Sequence, residues 1–174
     1  MNTALRPLLG LAALAILASG CSKNEIAIPR EICGVPVKSS ALSPLIPDGE
    51  ELKKNEPFPI DSDPAYCDIY VDGTHVLNIT VRMVDEEPRM EDWKDANAKY
   101  ALGAPRKIPF AGSAVIGSDG ALVNAECGSP ANYVLLDVRF KGDRVERSEA
   151  GVQKLQRFIE DFTPGVRKKI GCIE

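Results

Sequence analysis

The sequence predicts an α+β domain: an antiparallel sheet of about five strands, two helices packed on one face, and disulfides as braces. Three observations predict it. Segments of alternating hydrophobicity come in pairs joined by Gly- and Asp-rich turns, as in hairpins. Two segments of helical period interrupt them, giving the order β-β-α-β-β-β-α. Hairpin-connected strands pair antiparallel, and helices segregate to one side of such a sheet.

Residues 34–66 carry Pro44, Pro47, Pro57, Pro59 and Pro64, and predict an irregular lead-in with one short helical turn at most. The first hairpin follows. Asp68-Ile69-Tyr70-Val71 alternates, Asp72-Gly73 is a two-residue turn signal, and His75 to Met83 alternates again. Leu77, Ile79, Val81 and Met83 share one face, while Asn78, Thr80 and Arg82 share the other. Pro88 then opens a helix near its first position. Met90, Trp93, Asn97, Tyr100 and Ala101 fall on one side of it, and Gly103 and Pro105 stop it. Glu86, Glu87, Glu91 and Asp92 crowd its start, where the helix dipole favours anions.

A second hairpin joins Ala111–Ile116 to Ala121–Cys127 through Gly117-Ser118-Asp119-Gly120. Its side chains are small (Gly112, Ser113, Ala114, Ala121, Ala125), which predicts close packing over them. Asn132 to Phe140 is another strand, with Val134, Leu136, Val138 and Phe140 inward. The last helix spans roughly 147–162, its stripe made by Val152, Leu155, Phe158, Ile159 and Phe162. Thr163-Pro164 reads as the cap and first position of a further short turn ending at Gly171-Cys172.

The chain begins differently. Arg6 precedes an almost wholly apolar run from Leu8 to Ala18, and small residues Ser19-Gly20 lead to Cys21. This is the pattern of an export signal. The run is too short for a bilayer, which needs about 20 residues. Leu17-Ala18-Ser19-Gly20-Cys21 resembles the lipobox of bacterial lipoprotein precursors, with Ala18 where the commonest lipobox has Leu. The resemblance implies diacylglycerol on the Cys21 thiol, cleavage just before it, and a palmitate-type anchor. Ordinary secretion after the small-x-small pair Ala18 and Gly20 is the rival. On the lipoprotein reading residues 1–20 are a signal peptide, 21–32 a lipidated tether, and 33–174 one domain on the extracytoplasmic face of the cell membrane. Leu45-Ile46-Pro47-Asp48-Gly49, Cys67-Asp68-Ile69-Tyr70-Val71-Asp72-Gly73 and Gly171-Cys172 resemble exported actinobacterial lipoproteins of uncharacterised function. The predicted topology is similar to the PsbP-like fold group. Neither resemblance implies a chemistry.

Cysteine parity supports the anchor. With Cys21 lipidated, Cys33, Cys67, Cys127 and Cys172 form an even set suited to an oxidising compartment. Cys33–Cys67 would pin the lead-in to the first strand, and Cys127–Cys172 would tie the chain end to a strand. Cys67–Cys127 is a rival pairing. A zinc site from all four thiolates is the functional alternative, although no Cys-x-x-Cys pair is present.

Beyond residue 20 the chain has 20 Lys+Arg against 25 Asp+Glu, interspersed, which argues against nucleic acid and against electrostatic docking on anionic lipid. His75 is the single histidine and stands at a hairpin edge, and no Gly-x-Ser-x-Gly elbow accompanies it. Asp85, Glu86, Glu87, Glu91, Asp92 and Asp95 read as a solvated helix start rather than a cation site. Asp61, Asp63 and Asp68 do not continue into a calcium loop. Asn78-Ile79-Thr80 matches a glycosylation sequon only by chance, and Lys141-Gly142-Asp143 reads as a strand-ending turn. No phosphate loop, dinucleotide fingerprint or haem-attachment motif is present, so no cofactor is expected.

Two functions remain. The first is a non-catalytic envelope module that binds a protein, glycan or lipid partner, with Tyr70, Val76, Leu122, Tyr133 and Leu135 as contact candidates on the outer sheet face. The second is a small envelope hydrolase using paired carboxylates.

Overall fold

The computed structural model describes residues 26–142 and 146–173, and the export segment, Cys21 and Asp143 lie outside them. In chain order the elements are a small hairpin β1 (Glu31–Ile32) and β2 (Val35–Pro36), a short helix α1 (Ser39–Leu42), strands β3 (Leu52–Phe58), β4 (Ala65–Val71) and β5 (Thr74–Val84), helix α2 (Met90–Lys99), strands β6 (Ala104–Pro105), β7 (Gly112–Ile116), β8 (Gly120–Glu126) and β9 (Tyr133–Phe140), and helix α3 (Glu149–Ile170). The class is α+β, as expected. The sheet is fully antiparallel, but it holds seven strands rather than five, in the order β3-β4-β5-β9-β8-β7-β6.

The predicted hairpins are all present. Asp72 and Gly73 both have positive φ (48° and 77°), the conformation a two-residue hairpin turn of type I′ demands. The core lies on one sheet face. Ile69, Ile79, Val138 and Val123 point there, and α3 covers them with Val152, Leu155, Phe158, Ile159, Phe162 and Val166. Burial of each large side chain contributes about 1.5–3 kcal/mol. The Phe158 ring stands edge-on to Phe140 at 5.3 Å and stacks on Phe162 at 5.2 Å. Ser148 caps the start of α3 by accepting from Gly151 N at 3.2 Å. Gly171, at φ 88°, closes its end: Cys172 N donates to Arg167 O and Gly171 N to Lys168 O, a Schellman arrangement.

Two disulfides, Cys33–Cys67 and Cys127–Cys172, follow the preferred pairing. They span 34 and 45 residues, so each contributes about 4 kcal/mol by loop-closure entropy. Cys33, Cys67 and Glu56 have their ligand atoms within 4.8 Å of one another. Both sulfurs there are oxidised, and so are the other two, which removes the four-thiolate zinc alternative.

Five expectations are corrected. The lead-in contains β3, whose residues are almost all exposed and include Pro57, so no buried alternation marks it. Second, α3 does not break at Thr163-Pro164 but runs through both to Ile170. Thr163 and Val166 are buried while Pro164 faces solvent, so packing on either side outweighs the missing N–H. The remaining three concern faces and ends. The helices lie on opposite faces, because α2 packs on Val115 and Leu122, which alternate away from the core residues Ala114 and Val123. Val76 is not on the outer face: Tyr70 pairs with His75 and Ile69 with Leu77, so Val76 is the extra residue of a bulge and turns into the core. Residues 26–32 are not free tether either, since Ile26 and Ile28 pack on the core and Glu31–Ile32 forms β1.

Candidate functional site

The outer sheet face is built in cross-strand rows. One runs Phe58, Tyr66, Thr80, Asp137, Leu122, Val115, and the next Arg82, Leu135, Asn124, Ser113. Helix α2 lies over the β7–β8 side of these rows, seated by Ala96 and Tyr100 with Trp93 beside them. The close approach of Tyr100 falls at Gly120, in the predicted turn rather than among the small strand residues singled out, where a Cβ would overlap the Tyr100 ring.

Tyr100 reaches the sheet centre. Its hydroxyl donates to Asp137 Oδ1 at 2.8 Å. Lys99 Nζ donates to Asp137 Oδ2, and Arg139 Nε stands 3.6 Å from Oδ1. Lys99 and Arg139 also flank the Tyr100 ring, at 5.4 and 5.7 Å from its centre. Burial holds the Asp137 carboxyl above the usual carboxylate range, against the Tyr100 hydrogen bond and the Arg82 charge, which pull it down. Burial and the Asp137 charge push the Tyr100 hydroxyl well above its ordinary value, so it stays a donor at neutral pH.

Beside this pin a groove of about 370 Å³ opens between α2 and the sheet. Leu122, Leu135 and Val84 line it on the sheet side, and Asp95, Ala96 and Lys99 on the helix side. The loop from β5 to α2 forms its mouth with Glu86, Glu87 and Pro88. Next to the floor lies Asn124, the cross-strand partner of Leu135 and two residues from Leu122 on the same face. Asn124 is 1 % exposed, and its Oδ1 has no partner among the described residues. Ser113 Oγ, on its cross-strand neighbour, and Asn97 Oδ1, on α2, are likewise buried without partners among the described residues. Such orphans cost about 1–3 kcal/mol each and are uncommon in native interiors. A second hollow, of 440 Å³, lies at the Cys127–Cys172 bridge between Phe110 and Ile173.

The expected contact residues divide. Leu122 and Leu135 line the groove. Tyr133 begins β9, half-buried, opposite Val84 and Glu126. Tyr70 stacks on His75 at 5.1 Å near the opposite end of the sheet. His75 Nε2 lies 2.9 Å from Asp68 Oδ1 and 3.1 Å from Leu77 O. Both are acceptors, so this nitrogen carries the proton, while Nδ1 faces Lys141 Nζ at 3.4 Å. Asn78 donates to the same Asp68 oxygen at 2.9 Å, which makes His75 the centre of a hairpin brace.

The acidic cluster also divides. Glu86, Glu87, Asp92 and Asp95 line the groove, and Asp92 in addition accepts from Arg89 N at 2.8 Å at the helix start. Asp63 accepts from Met83 N at 3.2 Å, and Asp61 is exposed. Sequence reasoning placed Tyr100 and Asn97 on a helix face but singled out none of Lys99, Asp137, Arg139 or Asn124. The available signal was Leu135-x-Asp137-x-Arg139, which sets charges beside an apolar residue on the outward positions of one strand.

Comparison with known proteins returns no match: no protein family, curated protein or solved structure is significantly similar to this chain.

Proposed function

We propose that this chain is a lipoprotein tethered to the extracytoplasmic face of the cell membrane, acting as a non-catalytic binding module of the envelope. The observation that carries the binding role is the groove between α2 and the sheet, with its apolar floor and charged mouth. The address is supported by the export pattern and by parity, since both disulfides use up every cysteine except Cys21. Placement supports it further. Ile26 lies against Gly49 at the Val71–Asp72 end of β4, five residues after Cys21, a reach of at most about 18 Å. The groove mouth follows Val84, at the far end of an 11-residue strand about 33 Å long. The lipid would hold one end of the sheet, and the groove would open at the other.

One observation favours the hydrolase reading: the raised carboxyl of Asp137. Its immediate neighbours, however, are a phenol, an ammonium and a guanidinium, all donors, which suit a structural pin better than a carboxylate pair. Photo-crosslinking from position 87 in the native membrane, followed by partner identification, tests the module. A specific partner that is lost when Leu135 is replaced by Glu is expected. Crosslinks indifferent to that change would overturn the groove as the site. For the address, Cys21→Ala should release the protein from the membrane fraction, and unchanged fractionation would overturn the anchor.

A further inference from the structure

We propose that the open half of the outer sheet face binds a neutral glycan segment, laid along β4 over two aromatic stations. This site is separate from the groove and does not depend on it.

The outward residues of β3, β4 and β5 form cross-strand rows that α2, seated over β7 and β8, leaves open. One row holds Phe58, Tyr66 and Thr80, the next Asn55, Asp68 and Asn78, and the next Lys53, Tyr70 and His75. Rings stand at both ends, with polar groups between them. Phe58 and Tyr66 are 53 % and 36 % exposed, and their rings meet edge-on at 5.8 Å. The other exposed large apolar side chains among the described residues, Leu102 and Ile173, lie outside these rows. Exposed apolar groups that cluster in this way mark contact surfaces, whereas scattered ones do not. Four residues further along β4, about 13 Å away, Tyr70 stacks on His75 at 5.1 Å. That separation exceeds one sugar ring, so the two stations fit an oligosaccharide rather than a single sugar.

Between the stations, Asp68 Oδ1 accepts from Asn78 Nδ2 and His75 Nε2, each at 2.9 Å, and the exposed Asn55 stands opposite Asp68 on β3. A protein partner would seal this network under apolar surface and strip its water without replacing it. Sugar hydroxyls both donate and accept, so they take the place of that water. The C–H groups of a sugar ring carry partial positive charge, which suits the negative face of an aromatic ring.

Charge selects a neutral glycan. Lys53 pairs with Glu51 at 2.9 Å, and Lys141 stands against the His75 ring that donates to Asp68. On the neighbouring strand, Lys99 and Arg139 flank Asp137. Cations and carboxylates interleave, so the face holds no block of one sign to draw a charged polymer. Arg82 lies beyond, at the groove.

The test is calorimetric titration of the full-length protein, held in a detergent without a sugar headgroup. The neutral probes are hexasaccharides of glucose, mannose, galactose and N-acetylglucosamine. The anionic probes are an oligogalacturonate and an oligothymidylate. Binding of at least one neutral probe, little changed by salt, is expected. Tyr66→Ala should weaken it at least tenfold with the thermal melt kept, and Tyr66→Trp, which keeps a ring, should retain it. Ile173→Ala, at an exposed apolar residue away from these rows, should leave it unchanged. Failure of every neutral probe to bind, or tighter binding of an anionic one, would overturn the proposal. So would binding that survives Tyr66→Ala, which would place the sugar elsewhere on the molecule.

Discussion

The Tyr100 hydroxyl donates to Asp137 Oδ1 at 2.8 Å, joining residues 37 apart in sequence. This bond fastens the last turn of α2 to a central strand of the sheet, with the ring set close over Gly120. It sets how far the helix stands from Leu122 and Leu135, and therefore the width of the groove.

Tyr100→Phe removes that donor and leaves Asp137 with Lys99 and Arg139. A loss of about 1–2 kcal/mol in urea unfolding is expected, together with faster amide exchange in α2 than in α3. Unchanged stability and unchanged α2 protection would show that the hydroxyl does not hold the helix.

Asp137 should leave a pH signature of defined sign. Its folded-state pKa is raised, so between the ordinary carboxylate value of 3.8 and that raised value the folded chain binds the proton more readily. Its contribution to stability therefore grows as pH falls through the folded pKa towards the unfolded one. Measured across that window by urea unfolding, wild type should gain on Asp137→Asn as the solution is acidified. A gap that moves the other way would mean the carboxylate is stabilised, not burdened, by its site.

Pro164 sits inside α3 on its exposed side and denies the Glu160 carbonyl its helical partner. Pro164→Ala restores the donor at some cost in unfolded-chain entropy. A net gain of about 1–2 kcal/mol in chemical denaturation is expected. A loss would mean that the helix is bent at Pro164 to fit the face it covers.

The Cys127–Cys172 bridge closes a loop of 45 residues and holds the end of α3 to the end of β8. Cys127→Ala/Cys172→Ala should lose about 3–4 kcal/mol. Peptide mapping of unreduced protein should recover that pair and Cys33–Cys67. Recovery of a Cys67–Cys127 fragment would contradict the fold around both bridges.

Much of this architecture is legible in local chemistry. The β4–β5 hairpin announces itself because a two-residue turn needs positive φ at both positions, which Asp-Gly tolerates. The first four turns of α3 are visible because five inward residues, Val152, Leu155, Phe158, Ile159 and Phe162, recur at helical spacing. β3 is hidden for the opposite reason: it is an edge strand with little to bury, and its Lys53, Lys54 and Pro57 protect the edge rather than build a core. Val76 misleads because one bulge reverses the alternation from which its face is inferred. Of the groove, the sequence shows the acidic mouth and the leucines, but not Asp137 or Asn124.

The sequence by itself determines the hairpins, the place of both long helices though not the end of α3, the fold class, an even cysteine set apart from Cys21 and the acidic start of α2. These depend on neighbours a few residues apart, whose spacing is a local property of the chain. Tertiary structure alone decides that α2 crosses the sheet on the face opposite α3, because an amphipathic helix between two strands can close over either face. That choice brings Tyr100 to Asp137, leaves the Asn124 Oδ1 buried without a partner among the described residues, and makes a groove out of residues that are separate surface positions in the sequence.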